Sequence, residues 1–241
     1  MSSRQRFIGR VQEALGRQLG SPIAGSHPDE LFGPLEEVMQ PIAAEDVIGK
    51  FEEELQKVAG CTYRAATAGE LEEILQRILR DHQAKGVVYT RNPILDAASI
   101  PSKLAAWGLE SAAWPNSETG NGRKPFKEQS LTAEIGISGV EFVLAESGSL
   151  VVTSRTEGAQ IGSLAPPTHI ALYRRSQVVA YLDEVLDRLP VPTDPNQSLP
   201  GRSIVFITGP SRTADIEQIL IRGVHGPKEV HAILVEDACL L

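Results

Sequence analysis

Short apolar strand patterns alternate with helical stripes along much of this chain, and that alternation limits the fold more than any other feature. Residues 61–65 read as a strand. Thr67-Ala68-Gly69-Glu70 is then a capping box, and Leu71, Ile74, Leu75, Ile78 and Leu79 form the buried stripe of the helix it starts. Residues 86–90 give the next strand. The order continues with strands over 170–174, 203–208 and 230–235 and helices over 179–189 and 215–221. Upstream, Val47, Ile48, Phe51, Leu55 and Val58 define a helix that stops at Gly60. Strands separated by helices predict an α/β fold, a mostly parallel sheet with helices on both faces.

The chain has 241 residues, enough for one large α/β domain or two small ones. Phe7, Ile8, Val11, Leu15 and Leu19 recur at helical spacing among Arg4, Arg6, Arg10 and Arg17, so residues 4–19 read as a basic amphipathic helix. Pro and Gly residues make 20–40 an extended arm. We therefore divide the chain into a helix and arm over 1–40 and an α/β domain over 41–241. The polar stretch 114–131 is expected to be a mobile loop, and the Pro-rich 190–200 a loop within the domain. Residues 135–152 are the most apolar long stretch, but Glu141 and Glu146 interrupt it, so it reads as core and not as a membrane span.

Charge and cysteine content exclude several functions. A net charge of −8 repels nucleic-acid phosphates. The only cysteines, Cys61 and Cys239, are too few to hold an iron–sulfur cluster within one chain. They read as reduced thiols of a cytoplasmic protein, and no signal peptide is apparent.

Three stretches carry candidate chemistry. In the run from Gly136 to Val152, Ser138 is expected to cap a short helix over 139–145. That helix leaves Glu146 at a corner before a strand over 149–154. Flanked by apolar residues, Glu146 is a candidate nucleophile or acid/base, although a helix-end hydrogen bond explains it equally well. In Thr208-Gly209-Pro210-Ser211-Arg212-Thr213, a strand enters a turn and Thr213 is the expected cap of the following helix. Gly209, Ser211, Arg212 and Thr213 are thus candidates for holding a phosphate or carboxylate, with Arg212 pairing to an internal carboxylate as the structural alternative. In Gly223-Val224-His225-Gly226-Pro227, His225 is a candidate proton carrier with His169 as its candidate neighbour, and packing is the structural alternative. The five histidines include no closely spaced ligand pair, so no metal site is expected.

Four ordered motifs bear on family: GVEFVLAESGSLVV (139–152), LAPPTHIALYR (164–174), TGPSRTADIE (208–217) and GVHGP (223–227). Together they resemble the LUD-domain family of lactate-utilisation proteins. The resemblance implies a fold related to the ribose-5-phosphate isomerase, glucosamine-6-phosphate deaminase and CoA-transferase group. It also implies a part in oxidising L-lactate to pyruvate with two partner proteins, one of which carries iron–sulfur motifs. No cofactor is expected in this chain itself. The alternative is a stand-alone enzyme or binding module for a small phosphorylated, CoA-linked or organic-acid ligand. Glu146 resembles the nucleophilic glutamate of CoA-transferases at the level of fold analogy only.

Overall fold

The Thr67 hydroxyl accepts a hydrogen bond from the Glu70 amide, while the Glu70 carboxylate accepts from the Ala66 amide at 2.8 Å. That reciprocal cap starts the helix Ala68–Asp81, which buries Leu71, Leu75, Ile78 and Leu79. In this computed structural model, residues 41–115, 122–189, 203–214, 220–223 and 225–240 are described. The expected N-terminal helix and arm, the 190–200 loop and residues 215–219 lie outside them.

In chain order the elements are α1 (Val47–Lys57), β1 (Cys61–Ala65), α2 (Ala68–Asp81), β2 (Gly86–Tyr89), α3 (Pro93–Ala97), α4 (Ile100–Ala106), β3 (Glu110–Ala113), α5 (Arg123–Ser130), β4 (Ile135–Ser138), β5 (Phe142–Leu144), β6 (Ser149–Thr153), α6 (Ser154–Glu157), α7 (Ile161–Leu164), β7 (Thr168–Tyr173), β8 (Val178–Val179), α8 (Leu182–Arg188), β9 (Ile204–Ile207), β10 (Arg212–Ala214), β11 (Leu220–Arg222) and β12 (Glu229–Val235). Six strands form the main sheet in the order β1-β12-β7-β4-β2-β3, and every pair in it is parallel. Ile135, Ile137, Ile170, Leu172, Ile233 and Val235 point to one face, where they pack against α2, α3 and α4. Ala171, Tyr173, Val230, Ala232 and Leu234 point to the other. There they meet Phe51 and Leu55 of α1 and the inner residues of a second sheet, Val143, Leu150, Val152 and Ile207. The second sheet has the order β8-β5-β6-β9.

The connections place a crevice. β2 leads into β3 through α3 and α4 on the first face, whereas β3 leads back to β4 through α5, whose Phe126 packs on Val88 of the second face. β2 and β4 are neighbours in register from Val87 and Ile135 to Tyr89 and Ile137. The chain leaves the carboxyl end of β2 toward α3 on the first face and that of β4 toward β5 on the second, the arrangement that places a ligand crevice in α/β sheets.

Several expectations are corrected. Residues 139–145 form no helix: β5 pairs antiparallel with β6, Phe142 opposite Val151 and Leu144 opposite Ser149. A continuous apolar run has no period to separate helix from strand, and cross-strand pairing decided. The strand over 203–208 forms as β9, but it joins the second sheet antiparallel to β6. Leu220 and Ile221 belong to a strand paired with β10, so Thr213 is a strand residue and not a helix cap. Of the expected 114–131 loop, residues 116–121 lie outside the described residues, and Arg123–Ser130 form α5, anchored by buried Phe126 edge-on to Trp114 at 5.3 Å. The helix expected over 179–189 begins at Leu182, because the Glu184 carboxylate accepts from the amides of Ala180 and Tyr181. Among the described residues, no helix is long and apolar enough to cross a membrane.

Candidate functional site

At the carboxyl ends of β2 and β4, where α/β sheets commonly place a ligand crevice, one carboxylate joins the two loops. Glu157, the last residue of α6, is fully buried. It accepts from the Thr90 hydroxyl at 2.5 Å, from the Asn92 amide and from the Gly139 backbone N–H at 3.0 Å. Thr90 and Asn92 follow β2, and Gly139 follows β4, so one side chain ties both loops of the crevice together. Asn92 is held from the other end as well, since its Oδ1 caps α3 by accepting from the Ile94 amide. A Cβ at position 139 would stand 2.2 Å from Cγ of Asn92, so this contact requires glycine. Burial raises the Glu157 pKa against the pull of its donors, Thr90 first among them.

Beside this cluster, the Ser138 hydroxyl donates to the Gly139 carbonyl at 2.7 Å and lies 2.8 Å from Nε2 of His169. Burial pushes the His169 imidazole down to about 3, so the ring is neutral and Nε2–H donates to the hydroxyl. Both residues are fully buried. Toward solvent, exposed Arg91 donates to the Arg155 carbonyl, and Arg155 pairs with Glu141. Trp114 packs against Gly158 at the same edge. The exposed guanidinium of Arg91 at a topological switch point is suited to a small anion.

A second cluster lies at the amino end of the main sheet. Oε2 of Glu229 is 3.3 Å from Nε2 of His82 and 3.5 Å from Nε2 of His231. These three residues are the group among those described that could ligate a metal. Burial pushes His231 down to about 4, while Glu229 pulls the other way.

The sequence-predicted residues fall elsewhere. Glu146 accepts from the Leu182 amide at 2.9 Å and so caps α8, while its own amide donates to the Ala180 carbonyl. The Gly209–Arg212 turn and the Gly223–Pro227 loop do meet: the Ser211 amide donates to the Pro227 carbonyl at 2.8 Å, and the Gly223 amide to the Ser211 carbonyl at 3.0 Å. They meet at the amino end of β12, not at the carboxyl ends of the strands, because β9 runs in the second sheet. Gly209 has φ +78° and abuts Val58, and exposed Arg212 donates to the Val58 carbonyl. His225 is exposed, while His169 is buried against Ser138.

The LUD domain profile matches residues 48–235. This chain belongs to the LUD-domain family. Among similar proteins, lactate utilization protein C of Halalkalibacterium halodurans is 32% identical over 235 residues, covering 97% of this LUD-domain chain and 98% of that protein. Lactate utilization protein C of Bacillus subtilis is 26% identical over 98% of both chains. A crystal structure of a DUF162 family protein from Deinococcus radiodurans shares the fold, with a TM-score of 0.51, 19% identity and coverage of 81% of this chain and 99% of that one.

Sequence reasoning missed Glu157, Thr90 and Asn92 of this LUD domain. One signal was present, since Asn92-Pro93 directly after an apolar strand is a helix start at a strand's carboxyl end. Glu157 lies 65 residues from Asn92, and no local pattern links the two.

Proposed function

We propose that this LUD-domain chain is the counterpart of lactate utilization protein C, a cytoplasmic, non-cluster component of a multi-protein system that oxidises L-lactate to pyruvate. A partner protein with iron–sulfur motifs supplies the electron-carrying clusters. The observation that carries this reading is similarity along the whole length of both chains, at 97% and 98% coverage. The thiols agree with it. Cys61 opens β1, while Cys239 donates to the carbonyl of Ala65 at the other end of that strand. Four residues of strand separate them by about 13 Å, too far to share a cluster or a disulfide. Within this reading, the β2/β4 crevice binds the small organic acid, with Arg91 as its clamp and Glu157 holding the two loops in place. Deleting the gene in a background without other L-lactate dehydrogenases tests the proposal. Growth on L-lactate should be lost and growth on pyruvate kept, with growth on L-lactate restored by the gene in trans; undiminished growth on L-lactate would reject it.

A second reading places the anion at the Gly209–Thr213 turn, and the apposition of that turn with the His225 loop favours it. Arg212→Lys separates the two sites. Ligand binding at the turn predicts slower lactate-supported growth with an unchanged melting temperature, because lysine keeps the charge but loses the two-pronged grip. A purely structural turn predicts unchanged growth.

A further inference from the structure

Glu229 and His231 are two apart on β12, so both side chains leave the same face of the strand. His82, which caps the carboxyl end of α2, reaches the same point from the neighbouring layer. Both imidazoles turn Nε2 toward one carboxylate oxygen, at 3.3 and 3.5 Å, and the three ligand atoms lie within 4.8 Å of one another. Ligands about 2.0–2.1 Å from a tetrahedral ion are separated by about 3.4 Å, so the two measured separations are edges of such a site. The far nitrogens are also held. Nδ1 of His231 lies 3.1 Å from the Tyr63 hydroxyl, and Nδ1 of His82 lies 3.4 Å from that of Thr168. With the proton on Nδ1 donated to those oxygens, the Nε2 lone pairs point inward, which is how outer partners orient metal-binding histidines. Nε2 of His231 is buried with no hydrogen-bond partner, an arrangement that an ion would satisfy. Tyr63 stacks on His231 at 5.8 Å and fixes the ring, with Arg77 over the tyrosine at 5.3 Å.

We propose that His82, Glu229 and His231 bind one divalent transition-metal ion of the zinc class, at the amino edge of the sheet and separate from the β2/β4 crevice. Two nitrogens and one oxygen suit a borderline ion better than Mg2+ or Ca2+, which prefer oxygen. Three protein ligands leave a fourth position for water or a small ligand.

Tag-free full-length protein, stripped with chelator, is titrated with Zn2+ against a chromophoric competitor and with Co2+ by visible absorption. The expected result is one equivalent bound, intense tetrahedral Co2+ bands, and a melting temperature that rises with Zn2+. Glu229 is half exposed, so Glu229→Gln should fold normally while weakening Zn2+ at least about a hundredfold. Tyr63→Phe should weaken it about tenfold, the lower end for an outer partner. His82→Gln provides a second ligand variant. Absence of saturable binding, or one-to-one binding left intact by both Glu229→Gln and His82→Gln, would overturn the proposal.

Discussion

Two opposing influences act on buried Glu157. Desolvation disfavours its charge, while Thr90, Asn92 and Gly139 donate to it and stabilise the same charge. The arrangement depends on close approach at position 139. In Gly139→Ala the new methyl meets the Asn92 side chain, and we expect a loss of about 1–3 kcal/mol in urea unfolding, with Asn92 displaced from Glu157. A loss below about 0.5 kcal/mol would mean that the two loops have slack. pH dependence follows from His169. Its folded pKa lies below its unfolded value, so its contribution is present above about pH 6.5 and is lost as pH falls toward its folded value of about 3. Glu157 acts in the opposite sense, since a raised carboxyl pKa contributes stability at low pH and loses it as pH rises through the folded value. Between pH 7 and about 4.5, His169 alone should cost about 2.5 kcal/mol, one proton over roughly two units. His169→Gln should remove that part of the slope. An unchanged slope would show that the ring titrates normally.

Local hydrogen bonding and periodicity made α2 legible from Thr67 to Leu79, and β7 and β12 stood out as apolar runs. Those elements match because short-range and long-range preferences agree in them. The misread elements are those in which a distant partner decides. Residues 139–145 pair with β6, Leu220 and Ile221 pair with β10, and α5 is fixed by Phe126 in a stretch otherwise lacking apolar spacing. The candidate sites follow the same division. Glu229 and His231 sit in one strand and share a face, but His82 enters from 147 residues upstream of Glu229, a pairing set by topology alone. Glu146 was conspicuous in sequence as a carboxylate among apolar residues, and its place in the fold is the start of α8. Glu146→Gln keeps an acceptor oxygen for the Leu182 amide and should leave both melting temperature and lactate-supported growth close to wild type. Glu146→Ala should cost about 1 kcal/mol, as loss of a helix cap does. Lost growth in Glu146→Gln with an unchanged melt would instead assign the carboxylate a chemical role.

At the scale of the molecule, the parallel sheet separates two kinds of chemistry. Its carboxyl edge carries the buried carboxylate at the β2/β4 switch, with Arg91 exposed above it. Its amino edge carries two histidines and a carboxylate around a common point. The crossover pattern explains why the first location holds a crevice: connections leave β2 toward α3 and leave β4 toward the second sheet. With its two thiols at opposite ends of β1, the chain depends on a partner for electron transfer in the function proposed. That dependence is the central claim, and add-back to cell extract tests it most directly. Extract of the deletion strain, assayed anaerobically with an artificial electron acceptor, should fail to convert L-lactate to pyruvate. Purified chain alone should also fail, and mixing the two should restore the reaction. Pyruvate formed at the parental rate by the deletion extract, or by the purified chain without extract, would contradict the account.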